Sequence, residues 1–217
     1  MSFISDGDAI EAQPPGSKKP AYFTFGRFQP PTRGHRLLAQ SLAEAAAAVG
    51  ADAYIFASST QDKKRNPLSV GEKVYWMKKV FAGIPVKIIN TTVCSGASHP
   101  CRRVPDIIRA LTEANYAPIT MLVGSDRVDE FKSFVPAGVE VLQVGETRDE
   151  SAEGLASMSG TKMREAAIRE DLEILKEGTG LSNNNVTQLA AHIRNGLRKG
   201  GSRRRTRRRS RRSRGAY

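Results

Sequence analysis

The chain has 217 residues, and its hydrophobic content of 39% is sufficient for a buried core. Its formal net charge is +12, but eleven lysines and arginines and no acid occur from Arg198 onward, and 12 − 11 leaves about +1 for the rest. The positive charge therefore does not indicate nucleic-acid binding by the remainder of the chain. No stretch approaches the ~20 apolar residues of a membrane span. The N-terminus is acidic, unlike a secretory signal, which favours a soluble, intracellular (cytoplasmic) protein.

Apolar runs and helical periodicities alternate along the sequence. Short apolar runs predict strands at 21–25, 53–57, 86–89, 119–123 and 139–144. Helical spacing predicts helices at 35–49, 70–81, 104–111, 160–168, 171–177 and 186–197. This order predicts a doubly wound, Rossmann-like α/β fold with a five-stranded parallel sheet and C-terminal helices. We expect a flexible leader over 1–19, the α/β domain over 20–178, a C-terminal helix within 179–198, and a disordered Arg-rich tail over 199–217.

The two cysteines, Cys94 and Cys101, are too few for a disulfide framework. His99 lies between them, but a fourth ligand for zinc is missing from this spacing. We therefore expect two free thiols in a loop and no metal site in the protein.

The first strand–helix junction combines features of a phosphate-binding loop. Gly26 permits an unusual turn, Gly34 allows close approach of a ligand, and His35 opens a helix whose N-terminal amides attract anions. Arg27 and Arg33 add positive charge. An ordinary strand-to-helix turn with a histidine at the helix start is the alternative interpretation.

A second junction strengthens the first. Ser159 or Thr161 is a suitable cap for the helix that begins near Gly160. Lys162 and Arg164 lie in its first turn, where positive side chains oppose the helix dipole unless an anion binds. This local cost favours a role for both cations in ligand binding.

These segments resemble the signatures of the nucleotidylyltransferase superfamily. Thr32-x-Gly34-His35 is similar to its HIGH-type signature, with threonine in place of the first histidine, and Ser159 to Arg164 is similar to its serine–x–threonine–x–x–arginine signature. The segments 26–30 and 66–73 resemble archaeal-type nicotinamide-mononucleotide adenylyltransferases. The segments 124–127 and 159–167 also resemble cytidylyltransferase-like proteins of phages and large DNA viruses.

The resemblance implies transfer of AMP or CMP from a nucleoside triphosphate, carried with Mg²⁺, to a phosphorylated small molecule. His35, Arg27, Lys162 and Arg164 are the implied catalytic residues, which neutralise phosphate charge without a covalent intermediate. The implied nucleotide-binding residues are Gly26, Phe28, Thr32, Gly34, Asp126, Ser159, Gly160 and Thr161.

Several alternatives stay open at this point. Asp126 is equally well interpreted as a ribose or acceptor contact and as a helix cap, and the loop 62–66 as an acceptor-phosphate site or a solvated basic loop. Nicotinamide mononucleotide is the favoured acceptor, but Thr32 also matches the pantetheine-phosphate branch, and flavin mononucleotide and phospho-alcohols are further candidates. A different class of function is non-specific nucleic-acid binding or packaging by the Arg-rich tail. The ATP or CTP preference and the oligomeric state are left open.

Overall fold

The computed structural model describes residues 7–124, 127–133, 135–144 and 158–198. These residues form a five-stranded sheet in the order β3-β2-β1-β4-β5, and every strand pair is parallel. The strands are β1 (Lys19–Gly26), β2 (Asp52–Ala57), β3 (Lys87–Asn90), β4 (Tyr116–Gly124) and β5 (Val139–Val144). The helices are α1 (Arg33–Ala48), α2 (Val70–Val80), α3 (Val104–Glu113), α4 (Val128–Lys132), α5 (Gly160–Arg169), α6 (Leu172–Thr179) and α7 (Asn183–Arg198). The predicted doubly wound fold is confirmed.

The sheet separates two apolar clusters, because successive side chains of a strand point to opposite faces. Ile55 packs into the cluster built with α1, α2, α5, α6 and α7, where Trp76 and Leu42 are fully buried. Its neighbours Tyr54 and Phe56 pack into the other cluster, with α3 and α4. Both faces of the central strands are therefore covered, as their continuous apolar runs predict.

The C-terminal helix belongs to the first of these clusters. Its apolar face, predicted from the sequence, is buried against the domain through Val186, Leu189, Ala190 and Ile193. A Cβ atom at Gly196 would lie 2.1 Å from the carbonyl oxygen of Pro67, so glycine permits close contact between α7 and the segment that precedes α2. None of the described helices is long and apolar enough to cross a membrane.

The expectation of a flexible leader through residue 19 is wrong for the described part of that segment. Gly7 forms an antiparallel bridge with Ile89, which places this segment against the edge of β3. Ile10 is buried in the second apolar cluster, and its N–H donates to the carbonyl of Ser95 at 2.8 Å. The side chain of Gln13 donates to the Tyr116 hydroxyl, so the leader is fixed at several points.

The expectation of free thiols is also wrong. Cys94 and Cys101 form a disulfide with a Cα–Cα distance of 5.8 Å, inside the range that the bond requires. Both residues are buried in the second cluster, and the N–H of Cys101 donates to the carbonyl of Thr91 at 3.1 Å. The fold of the loop, rather than the number of cysteines, determines the pairing.

Candidate functional site

The site lies at the C-terminal edge of the sheet, where all five parallel strands end. In the order β3-β2-β1-β4-β5, β2 and β3 are added on one side of β1, and β4 and β5 are added on the other side. The strand order therefore switches between β1 and β4. Open α/β sheets bind ligands at such a switch point, outside the carboxyl ends of the strands. Arg27 directly follows β1, and Arg127 follows β4 by three residues. The predicted first signature therefore occupies the expected position.

The loop after β1 is built around a buried aromatic ring. Phe28 has φ of 46°, in the left-handed region, and its side chain is only 3% exposed. Its ring packs edge-on against His35, with the ring centroids 5.0 Å apart, and also against Phe81. A Cβ atom at Gly26 would lie 3.0 Å from the Phe28 ring, so glycine fits here because the ring approaches closely. Phe28 and Gly26 thus shape the loop through the enclosed Phe28 ring, and the contact of both residues with a nucleotide stays a prediction.

Thr32 and His35 form the start of α1. Thr32 is the N-cap, and its side chain accepts from the backbone N–H of His35. The ring nitrogen Nδ1 of His35 lies 3.1 Å from the backbone nitrogen of Thr32 and 2.9 Å from its hydroxyl. Thr32 is 1% exposed, whereas His35 is half-buried. The Thr32 hydroxyl is enclosed and contacts His35, and a contact of Thr32 with a nucleotide stays a prediction.

Gln29 joins the first loop to the segment before α2. Its side-chain amide donates to the carbonyl of Leu68 at 2.8 Å and accepts from the Leu68 N–H at 2.9 Å. The side chain is 4% exposed, and this burial raises the free-energy cost of losing either hydrogen bond. The first loop and the segment before α2, whose residues Gln29 and Leu68 are 39 positions apart in the sequence, are thereby fixed relative to each other. The sequence did not single out this side chain.

The second signature meets the first through the backbone of Gln29. The Arg164 guanidinium donates to the carbonyl of Gln29 at 2.7 Å and to the Thr161 hydroxyl at 2.9 Å. A Cβ atom at Gly160 would lie 2.9 Å from the same carbonyl oxygen, so a larger residue would separate the two segments. Ser159 caps α5 by accepting from the N–H of Lys162 at 3.2 Å. The structure thus brings together two signatures that lie 135 residues apart along the chain.

Positive charge is concentrated where the segments meet. Burial lowers the pKa of Arg164, and the nearby Arg27 and Arg65 lower it further, while Asp62 acts in the opposite direction. The hydrogen bond from Arg127, at 3.0 Å, lowers the pKa of Glu130, and the nearby Arg27 lowers it further. Mutual repulsion among cations at a partly buried position is relieved when an anion binds. The arrangement is therefore suited to a polyphosphate.

Lys73 is a buried cation next to this cluster. It is 0% exposed, and its ammonium donates to the carbonyls of Ser58 and Thr60, the latter at 2.9 Å. Burial, together with the nearby Arg27, lowers the pKa of Lys73 to about 7 from 10.5. Lys73 therefore fixes the loop after β2 beside Arg27.

The lowered pKa of Lys73 predicts a pH-dependent stability. Between its folded and unfolded pKa values the unfolded chain binds the extra proton, so raising the pH through this window stabilises the folded state. We expect the free energy of unfolding to rise by about 2 kcal/mol between about pH 7 and about pH 9. Urea unfolding of the wild type and of Lys73→Met checks this. The rise should be absent in Lys73→Met and present in Lys79→Met, on the same helix but not buried. Parallel curves for the wild type and Lys73→Met contradict the prediction.

The loop after β2 holds three exposed cations, Lys63, Lys64 and Arg65, on an organised backbone. The carboxylate of Asp62 accepts from the backbone N–H of Lys64 at 2.9 Å and of Arg65 at 2.7 Å. These bonds, with the Asn66 side chain, hold the pKa of Asp62 well below its usual range. Residues 61–65 line an open surface depression of about 600 Å³. The loop therefore presents its cations to solvent, close enough to Arg164 for Asp62 and Arg65 to change the Arg164 pKa.

Two of the remaining predicted site residues lie in the first turns of helices, and a third lies outside the described residues. Gly34 lies in the first turn of α1, and the exposed Lys162 in the first turn of α5. Asp126 lies outside the described residues. Sequence reasoning missed Gln29 and gave Lys73 no role, although Lys73 shares helical spacing with Val70 and Met77.

Comparison with solved structures places this architecture among known folds. The Plasmodium falciparum nicotinic acid mononucleotide adenylyltransferase complexed with APC aligns with a TM-score of 0.50 and 15% identity, covering 77% of this chain and 94% of that one. A macrolide-efflux protein from Streptococcus pneumoniae aligns with a TM-score of 0.46 and 16% identity over 82% and 71% of the two chains. A NadR protein in complex with NR gives 0.45 and 18% over 74% and 44%. No protein-family model matches the sequence, and no curated protein matches it. The similarity to the Plasmodium enzyme shows a shared α/β fold.

Proposed function

We propose that this chain is a nucleotidyltransferase that moves AMP or CMP from a nucleoside triphosphate to a phosphorylated small molecule. The strongest support is the 2.7 Å hydrogen bond from Arg164 to the Gln29 carbonyl. This bond joins the two segments that the sequence predicts to bind phosphate, at the switch point of an open α/β sheet. A cluster of cations next to the amino ends of α1 and α5 is suited to a triphosphate.

The proposed reaction needs positioning and charge neutralisation rather than a protein nucleophile. An oxygen of the acceptor phosphate forms a bond to the α-phosphorus, and the bond from that phosphorus to the bridging oxygen breaks. Pyrophosphate leaves with the electron pair. His35, Arg27, Lys162 and Arg164 would neutralise the charge that develops on the phosphate oxygens. Because Mg²⁺ enters on the triphosphate, it is part of the substrate.

The acceptor is proposed to be a phosphorylated nucleotide-like molecule, with nicotinamide mononucleotide favoured. The segment from Asn66 to Ser69, which resembles nicotinamide-mononucleotide adenylyltransferases, is fixed to the first loop by Gln29 and Leu68. The cations of residues 63–65 line an open surface depression of about 600 Å³, which we propose receives the acceptor phosphate. The structurally similar Plasmodium enzyme is named for nicotinic acid mononucleotide, so both nucleotides belong among the candidates.

The reaction is tested by pyrophosphate release. Full-length protein is incubated with ATP or CTP and magnesium, together with nicotinamide mononucleotide, nicotinic acid mononucleotide, pantetheine phosphate, flavin mononucleotide or a phospho-alcohol. We expect release only when an acceptor and magnesium are both present. Turnover confined to pantetheine phosphate would replace the favoured acceptor while retaining the reaction class. Absence of turnover together with absence of triphosphate binding would refute the enzyme proposal.

The Arg-rich tail supports a second candidate activity, non-specific nucleic-acid binding. Residues 199–217 contain ten lysines and arginines and no acid. They follow the end of α7, whose apolar face is complete within the described helix. We expect deletion of 199–217 to leave folding and nucleotide binding unchanged but to abolish binding to duplex DNA. For the full-length protein, the salt dependence should have a log–log slope of about −0.9 per phosphate contacted. Equal DNA affinity of the full-length and truncated proteins, in a titration at several salt concentrations, would show that the tail does not bind DNA.

A further inference from the structure

The amino end of α1 contains an uncommon capping arrangement. In the usual capping box, a glutamate or glutamine at the third helical position reaches back to the N-cap N–H. Here that position is His35, and its Nδ1 accepts a hydrogen bond from the backbone N–H of Thr32 at 3.1 Å. The Thr32 hydroxyl lies 2.9 Å from the same ring nitrogen. One nitrogen of the proposed catalytic imidazole is therefore engaged by the N-cap residue.

This contact determines which ring nitrogen holds the proton. A peptide N–H donates and does not accept, so Nδ1 of His35 must offer its lone pair to Thr32. A neutral imidazole then has its proton on Nε2. A proton on Nδ1 would instead place two N–H groups against each other. The Thr32 hydroxyl, which accepts from the His35 N–H as the helix cap, lies 2.9 Å from Nδ1 and can donate its own proton there as a second donor beside the backbone N–H.

The surroundings restrict movement of the ring away from this arrangement. Phe28 packs edge-on against the imidazole at 5.0 Å, and it is itself buried against Phe81. Thr32 is 1% exposed and lies between the buried Pro31 and the helix. Thr32 is therefore enclosed by protein and in direct contact with His35.

We propose that Thr32 is a positioning residue that holds His35 as the Nε2–H tautomer, so that the imidazole donates a hydrogen bond to an anionic phosphate oxygen. The donor role rests on the proposed nucleotidyltransferase function, whereas the tautomer does not. In the proposed reaction the acceptor phosphate is already anionic, so a neutral N–H donor suits this position better than a base. This also gives a physical role to the threonine that stands where the HIGH-type signature has a histidine.

The tautomer is tested without turnover by nitrogen NMR of isotopically labelled full-length protein. The chain has three histidines, so the His35 resonances are assigned by their loss in His35→Gln. At neutral pH, without nucleotide, we expect Nδ1 to be unprotonated and Nε2 to be protonated. A proton on Nδ1, alone or on a doubly protonated ring, would overturn the proposal.

Variants then separate positioning from simple helix capping. Thr32→Val removes the hydroxyl, and we expect turnover to fall about tenfold, as when a residue orienting a functional histidine is lost. The His35 nitrogen resonances should move with it, and Thr32→Ser should restore both to about the wild-type state. Asp171→Ala is the matched control, because Asp171 caps α6 by accepting from the N–H of Ile174 at 3.1 Å. It should lower the melting temperature comparably and leave turnover and the His35 spectrum unchanged.

Two possible results distinguish failure of the positioning role of Thr32 from failure of the proposed function. If Thr32→Val lowers the melting temperature as Asp171→Ala does, with the His35 spectrum unmoved, then Thr32 is only a cap and the proposal is refuted. If the wild type transfers no nucleotide to any acceptor, the proposed function and the donor role of His35 fail. The spectra still decide whether Thr32 sets the tautomer.

Discussion

Replacing His35 by alanine is expected to reduce nucleotide transfer by about two to three orders of magnitude. The imidazole is held rigidly by Thr32 and Phe28, so it provides a donor that needs no reorganisation when charge develops on the phosphates. Binding of the triphosphate should change much less than the rate of transfer, because the interaction strengthens in the transition state. Single-turnover kinetics with saturating triphosphate measures the two effects separately.

His99→Ala is the matched control for this loss. His99 lies in the disulfide loop, which precedes α3. Its Nε2 is 3.1 Å from the carbonyl oxygen of Asp106, a residue of α3. Its replacement should leave transfer unchanged while removing the same imidazole volume. A His35→Ala protein that unfolds would indicate a structural role for His35, and one that turns over at the wild-type rate would refute the catalytic role.

The fold could be predicted because each strand is short, apolar and separated from the next by a helical pattern. β5 matches its predicted range of 139–144, and α2, predicted over 70–81, forms over Val70–Val80. β4 was predicted from 119 but begins at Tyr116. Pro118 interrupts the apolar run and is unusual in a central strand. The Tyr116 hydroxyl nevertheless fixes that end of the strand through Tyr54 and Asp52.

The leader and the disulfide could not be predicted because both depend on contacts between distant segments. Ile10 is a single large apolar residue between short alanine and acidic neighbours, so it forms no periodic pattern. Its burial follows from the close approach of Gly96, where a Cβ atom would lie 2.0 Å from the carbonyl oxygen of Ile10. The disulfide likewise requires the loop to bring Cys94 and Cys101 together, which their spacing of seven does not show.

Within the candidate site, the two signatures were visible in the sequence but the residues that join them were not. Gln29 bonds to backbone groups of Leu68, and backbone groups give no residue-specific pattern that could indicate the pairing. Lys73 is different, because it shares a helical face with Val70, Val74 and Met77. A lysine on an otherwise apolar helical face is an indication of a buried cation that the sequence does contain.

Replacing Arg164 by alanine is expected to weaken triphosphate binding by about 10- to 100-fold, which corresponds to the loss of one charged hydrogen-bonding group. In the structure its guanidinium uses one nitrogen on the Gln29 carbonyl and another on the Thr161 hydroxyl, and five N–H donors leave others for an anion. Arg164→Lys should retain part of the affinity, since it keeps the charge but loses the planar fork. Isothermal titration with a non-hydrolysable triphosphate measures these differences.

The control for Arg164 lies on the same helix. Arg169 is exposed and forms only a 3.5 Å ion pair with Glu165, so Arg169→Ala should leave triphosphate affinity and stability nearly unchanged. Arg164→Ala should leave the protein folded, because the buried face of α5 is formed by Met163, Ala166 and Ala167. Loss of the Gln29 bond should also loosen the loop before α1, so transfer falls further than binding alone predicts. Unfolding of Arg164→Ala, or triphosphate affinity equal to that of Arg169→Ala, would show that Arg164 fastens the two segments without binding the substrate.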